Sequence, residues 1–166
     1  MHDLILIGLP ASGKTSAGRL LSQRLAMPFF DCDDAVAAAA GQPIPDIFAQ
    51  QGEEGFRQLE SRVLRELCGR EGCVIATGGG AVLREENRRL LRWSGTVFWL
   101  DRPLPDIMST DFQAGRPLLA AGRAALEALA AQRRPLYAEC ACCRIVEPVL
   151  ERAVAEIQRI WEGEAP

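Results

Sequence analysis

Short, unbroken apolar runs alternate along the chain with longer stretches in which apolar residues recur every three or four positions. The first run, Leu4-Ile5-Leu6-Ile7, ends in a glycine-rich loop, and residues 14–26 follow with Ala17, Leu20, Leu21 and Leu25 at helical spacing. Four further runs read as strands: Phe29-Phe30-Asp31-Cys32, Val74-Ile75-Ala76-Thr77, Val97-Phe98-Trp99-Leu100 and a weaker Arg144-Ile145-Val146. Runs that are continuous rather than alternating predict strands buried on both faces, as in a parallel sheet. Between them, residues 46–51 predict a short helix and 53–68 a longer one with Phe56, Leu59, Val63, Leu64 and Leu67 on one face. Two more helices are expected over 83–93 and 148–161, and a further helical segment opens at Asp33-Asp34. The expectation is an α/β fold of three layers, α/β/α, with a five-stranded parallel sheet. Residues 111–123 break both periods at Gly115, Pro117 and Gly122 and are expected to form a mobile lid.

A length of 166 residues predicts one domain, 1–166, with no repeat and no linker. Hydrophobic residues at 48% and charged residues at 25% fit an ordinary globular chain rather than a disordered or fibrous one. Nineteen Lys and Arg against 22 Asp and Glu give a net charge of −3, so no diffuse positive field draws nucleic acid or anionic lipid. Any anion must be held locally. The start of the sequence has no basic leader, no run approaches the roughly 18 apolar residues of a membrane span, and the six cysteines are expected as reduced thiols; a cytoplasmic protein is expected. Cys140, Cys142 and Cys143 do not complete a zinc site, because the one histidine is His2 and no second cysteine pair exists.

The local anion site is Gly8-Leu9-Pro10-Ala11-Ser12-Gly13-Lys14-Thr15, which matches G-x-x-x-x-G-K-[ST] at every defined position and stands between a strand and a helix. Backbone N–H groups of such a loop curl around phosphate oxygens and the helix N-terminus adds partial positive charge. Lys14 can reach the outer phosphates and the Thr15 hydroxyl can ligate Mg²⁺, so the loop predicts nucleotide binding on a P-loop kinase fold. The chain lacks the N-K-x-D signal of guanine-nucleotide switches and is too short for a motor apparatus, which leaves a small-molecule kinase as the simplest completion.

Asp31 and Asp33 close the second strand, and alternation would put both carboxylates on one side of the sheet edge beside the loop. One could hold Mg²⁺ and the other take a proton from a hydroxyl, or the pair could cap a helix. Thr77-Gly78-Gly79-Gly80 follows the third strand, where three glycines allow close backbone approach to a ligand. Arg57 and Glu60 are neighbours on one helical face, by default a solvated ion pair. Arg133 and Arg134 are by default surface charges, with the capacity to fork a carboxylate.

Together these residues resemble the shikimate kinase family over nearly the whole chain. The resemblance rests on the phosphate loop, Asp31-x-Asp33, Ile44-Pro45-Asp46-Ile47-Phe48, Gly52-Glu53-Glu54-Gly55-Phe56-Arg57 with Glu60, Ala76-Thr77-Gly78-Gly79-Gly80, Arg116-Pro117-Leu118-Leu119 and Arg133-x-Pro135-Leu136-Tyr137. It implies ATP-dependent phosphorylation of the 3-hydroxyl of shikimate in aromatic amino-acid biosynthesis, with ATP and shikimate as the ligands; from charge and the absence of an apolar span, neither nucleic acid nor membrane is expected as a partner, and a monomer is expected. Asp33, Lys14 and Arg116 would be catalytic, with Asp33 on the accepting hydroxyl. Gly8, Pro10, Ala11, Ser12, Gly13, Lys14, Thr15, Ser16 and Arg116 would bind nucleotide, and Thr15 and Asp31 would hold Mg²⁺. Arg57 and Arg133 would grip the substrate carboxylate, Glu60 orient Arg57, Gly78, Gly79 and Gly80 approach the ring hydroxyls, and Phe48 and Phe56 line the pocket, with the substrate helices over about 33–62. The family's usual adenine-packing arginine, seven residues before the lid arginine, is Ser109 here, and the segment 101–115 is slightly short. A kinase for another polyol acid such as gluconate, and a regulatory nucleotide binder, are the rival readings.

Overall fold

The computed structural model describes residues 2–109 and 122–163. Five strands, β1 (Asp3–Ile7), β2 (Phe29–Asp31), β3 (Val74–Ala76), β4 (Gly95–Leu100) and β5 (Cys143–Ile145), form one parallel sheet in the order β2-β3-β1-β4-β5. The helices among the described residues are α1 (Lys14–Leu25), α2 (Cys32–Ala40), α3 (Ile44–Cys68), α4 (Glu85–Ser94), α5 (Leu104–Ser109), α6 (Arg123–Cys140) and α7 (Leu150–Trp161), with a 3₁₀ turn at Ala81–Leu83.

β1 explains the layering. All five of its residues are buried, and its side chains divide by parity. Leu4 and Leu6 join Ala17, Leu21, Val154 and Ile157 from α1 and α7 in one core. Ile5 and Ile7 join Val63, Leu64, Leu91, Leu126 and Tyr137 from α3, α4 and α6 in the other. The three-layer expectation therefore holds. β1 is central, flanked by β3 and β4, so the carboxyl ends of the strands on either side of it frame the crevice where open α/β sheets bind ligands.

Three local expectations change. The long helix α3 is interrupted at Gly52 (φ 70°, ψ −176°), which reproduces the two expected helices 46–51 and 53–68 with the first starting earlier, at Ile44. Strand β2 stops at Asp31, so Asp33 stands in the first turn of α2 and not on a strand, and the alternation argument for the two carboxylates fails. The helices α5 and α6 were not foreseen. Pro135 lies inside α6, where a proline costs a backbone hydrogen bond, and the buried face of Leu126, Ala130, Arg133, Tyr137 and Cys140 holds the helix in place by packing. The expected lid over 111–123 and its Arg116 lie outside the described residues, except Gly122 and Arg123 at the start of α6. Among the described residues no helix is long and apolar enough to cross a membrane.

Candidate active site

The phosphate loop leaves β1 through Gly8, whose φ of 147° is open to glycine and whose added Cβ would stand 2.6 Å from the Leu100 carbonyl oxygen. The loop turns over itself with Ser12 N–H donating to Leu9 O at 3.1 Å and enters α1 at Gly13, also in the left-handed region. Lys14 is buried and lies back across the loop, its Nζ donating to Leu9 O at 2.7 Å and Gly8 O at 3.0 Å. Pro10, Ala11 and Ser12 are buried in the loop, and Ser16 is exposed on the first turn of α1.

Thr15 Oγ1 donates to Asp31 Oδ2 at 2.6 Å, and Asp31 Oδ1 accepts from Asp33 N–H at 2.9 Å. Asp31 is thus the N-cap of α2 and the link between α2 and the phosphate loop at once. The capping alternative is correct for Asp31 and does not exclude a ligand role, because the same carboxylate faces Thr15. A hydroxyl and a carboxylate in contact are hard oxygen donors of the kind Mg²⁺ takes, and that ion uses one or two protein ligands beside phosphate and water. The donor set fits Mg²⁺. Among the described residues there is no cluster of three or more His, Cys, Asp or Glu side chains that could hold a metal without such help.

Beside this, each glycine after β3 meets a different group. A Cβ on Gly78 would stand 2.7 Å from Asp33 Oδ1 and 2.6 Å from Glu60 Oε1; on Gly79, 2.8 Å from Pro10 Cδ; on Gly80, 2.5 Å from Arg57 Cζ. Three glycines occur in succession because three neighbours press on three successive residues. The Gly79 carbonyl accepts from the Tyr137 hydroxyl at 2.6 Å, and Asn87 Nδ2 donates to Ala81 O at 2.9 Å, pinning the turn that follows.

The Arg57–Glu60 pair is buried, not solvated. Arg57 Nη1 lies 2.6 Å from Glu60 Oε2, with side chains 10% and 1% exposed. Burial pushes the Glu60 carboxyl above its ordinary range, and the Arg57 charge offsets only part of that. The default surface reading of Arg133 also fails, since it is 4% exposed. Burial lowers its affinity for the proton, and it stands beside Tyr137, whose phenol burial pushes up to about 12. Arg134 instead pairs with the buried Asp101 at 3.3 Å. Among the described residues, Arg57 Nε, Glu60 Oε1 and Arg133 Nε are buried with no hydrogen-bond partner, although Glu53 Oε1 stands 3.6 Å from Arg57 Nε. Polar atoms of this kind cost stability unless something else satisfies them. Phe48 stacks on Phe56 with centroids 4.5 Å apart, and Arg57 lies over the Phe56 ring at 5.1 Å, so the two aromatics border the basic pair.

A family model described as "Shikimate kinase" matches residues 10–159. The chain belongs to the shikimate kinase family. It is 48% identical over 164 residues to a shikimate kinase of Symbiobacterium thermophilum, covering 93% of each, and 46% identical over 160 residues to one of Neisseria gonorrhoeae, covering 90% of this chain and 94% of that one. Its fold matches a shikimate kinase from Acinetobacter baumannii in complex with shikimate, with a TM-score of 0.90 and 34% identity over 100% of this chain and 96% of that one.

Within this shikimate kinase family member, Asp33, Arg57, Glu60, Arg133 and the three glycines gather on the β2–β3 side of the phosphate loop, with Thr15 and Asp31 between. Arg116 is the one expected site residue outside the described residues. Tyr137 was overlooked as a member of the site. It follows Arg133 by four positions, which is the same face of a helix, and an unbroken α6 would have disclosed it.

Proposed function

We propose that this chain transfers the γ-phosphoryl group of ATP to the 3-hydroxyl of shikimate, giving shikimate 3-phosphate and ADP for aromatic amino-acid biosynthesis. The observation that carries this reading is the glycine segment 78–80, which touches Asp33, Glu60, Pro10 and Arg57 together and so joins an acid-and-base cluster to a phosphate loop. Loop amides and Lys14 hold the β- and γ-phosphates, for which Lys14 exchanges its hold on the Gly8 and Leu9 carbonyls. Thr15 and Asp31 hold Mg²⁺, which when bound neutralises charge on the phosphate oxygens. Asp33 accepts the proton of the attacking hydroxyl. Arg57 and Arg133 fork the substrate carboxylate, Glu60 fixes the angle of Arg57, and the Gly78 to Gly80 backbone meets the ring hydroxyls. Phe48 and Phe56 shape the rim. Arg116 meets the phosphates and balances their charge as transfer proceeds.

Six free thiols support a cytoplasmic setting, and the chain is proposed to act as a monomer. The test is coupled ADP release with Mg-ATP and shikimate, quinate, gluconate or no acceptor. Release that depends on shikimate is expected. Equal rates with gluconate would favour a polyol-acid kinase, and ATP binding without acceptor-dependent release would favour a regulatory nucleotide binder.

A further inference from the structure

On the other side of β1 from the glycine segment, a cavity of about 220 Å³ opens where β4 and β5 end. Ser12, Gly13 and Ser16 of the phosphate loop and α1 form one wall, and Leu100, Ile145 and Leu150 line the rest with apolar surface. Complete ligand pockets are roughly 300–1,000 Å³, so a space of this size suits one part of a ligand whose remainder lies elsewhere. With the phosphates on the loop, that part is the nucleoside.

Arg102 lines this cavity two residues after β4. Its Nε is buried without a hydrogen-bond partner, and no ion pair engages it among the described residues. The adjacent Asp101 cannot neutralise it, because both Asp101 oxygens are taken by Arg134 at 3.3 Å and by Arg144 Nε at 2.9 Å. Glu147 shares the cavity but turns an oxygen onto Val149 N–H at 2.9 Å, which fixes the bend around Pro148. Ser109 offers no cation and points its hydroxyl at Asp106 O, 3.0 Å away. A planar, weakly hydrated guanidinium over an apolar slot is built to cover an aromatic face.

We infer that Arg102 is a nucleotide-specificity residue: its guanidinium covers the purine ring of the bound nucleotide in the cavity between β4, β5 and the phosphate loop. The inference rests on the ATP-dependent reading above. Arg102→Met keeps the apolar stem and removes the fork, and Arg102→Lys keeps the charge and removes the plane. Titration calorimetry with ADP should show both variants weakened, by about three- to tenfold as expected for a stacked guanidinium, with the KM for ATP rising in parallel. Competition by inorganic tripolyphosphate, which carries no base, should be unchanged, as should the KM for shikimate. Unchanged ADP affinity in both variants would overturn the inference. So would full ADP affinity in Arg102→Lys combined with weakened tripolyphosphate binding in Arg102→Met, which would make Arg102 a phosphate contact. ADP binding needs no acceptor, so failure of shikimate-dependent turnover in the wild type would sink the proposed activity while leaving this test intact.

Discussion

Gly80→Ala separates the geometry of the glycine segment from its backbone requirements. Gly80 has φ −100° and ψ 0°, which alanine accepts, so the one new element is a methyl group. That methyl would stand 2.5 Å from Arg57 Cζ and closer still to both terminal nitrogens. Ordinary contact begins near 3.5 Å, so the guanidinium must retreat by about 1 Å. It cannot do so and keep Glu60, because the pair is 2.6 Å long and Glu60 is wholly buried. A hydrogen bond to a charged group contributes roughly 1.5–3 kcal/mol, and most of that is lost on lengthening by about 1 Å. For a chain of this size about 2 kcal/mol lowers Tm by roughly 4–8 °C. If Arg57 grips the substrate carboxylate as proposed, the same retreat misaims that fork, and misplacement of about 1 Å can cost on the order of 10²-fold. Steady-state kinetics should therefore show kcat/KM for shikimate down by about 10- to 100-fold, with ADP affinity by calorimetry unchanged, since the phosphate loop is untouched. Turnover within twofold of wild type at an unchanged Tm would refute the argument that Gly80 sets the position of Arg57.

Asp33→Asn should lower kcat by about 10²-fold or more with little change in nucleotide affinity, the scale of a positioned base; near-normal turnover would leave Asp33 with no part in proton transfer. Asp31→Asn isolates charge from capping, because Asn caps a helix as well as Asp does: melting should be nearly unchanged while the Mg²⁺ concentration for half-maximal rate rises several-fold, and an unaltered Mg²⁺ titration would remove Asp31 from the metal site. Tyr137 is the single tyrosine of the chain, so phenolate absorbance reads it alone. Burial raises its folded pKa to about 12, above the ordinary value of 10, so the stability from the neutral phenol is fully present below pH 10 and lost as pH rises through 12. Ultraviolet titration should show no phenolate near pH 10 while circular dichroism is native, and a midpoint near 10 in native protein would contradict the buried Tyr137–Gly79 bond.

What the sequence could and could not disclose follows from the range of the forces involved. Strands β1 and β4 and the loop Gly8 to Thr15 were legible because their cause is local: continuous apolar runs for burial on both faces, and glycines where backbone amides must converge. Gly52 was legible for the same reason, since only its own φ of 70° decides the break in α3. Arg57 and Glu60 were legible as neighbours, but their spacing alone left solvation as the default, because i, i+3 spacing is local whereas the backbone that presses on them, at Gly80 and Gly78, lies some twenty residues away in sequence. The two-residue spacing of Asp31 and Asp33 suggested a shared strand, but the cap that Asp31 supplies to Asp33 N–H turns the chain into α2 first. Helix α6 was the largest gap, and its cost was specific. Pro135 is a local breaker outweighed by nonlocal packing of Leu126, Ala130 and Tyr137 against the core, and missing it meant missing that Arg133 and Tyr137 share a face. The two faces of the site therefore differ in kind. The phosphate side is written in backbone conformation and could be read directly from glycines, whereas the acceptor side is written in buried charge, where a lone arginine in the sequence says nothing of its partner until the carbonyl, carboxylate and phenol around it are in position.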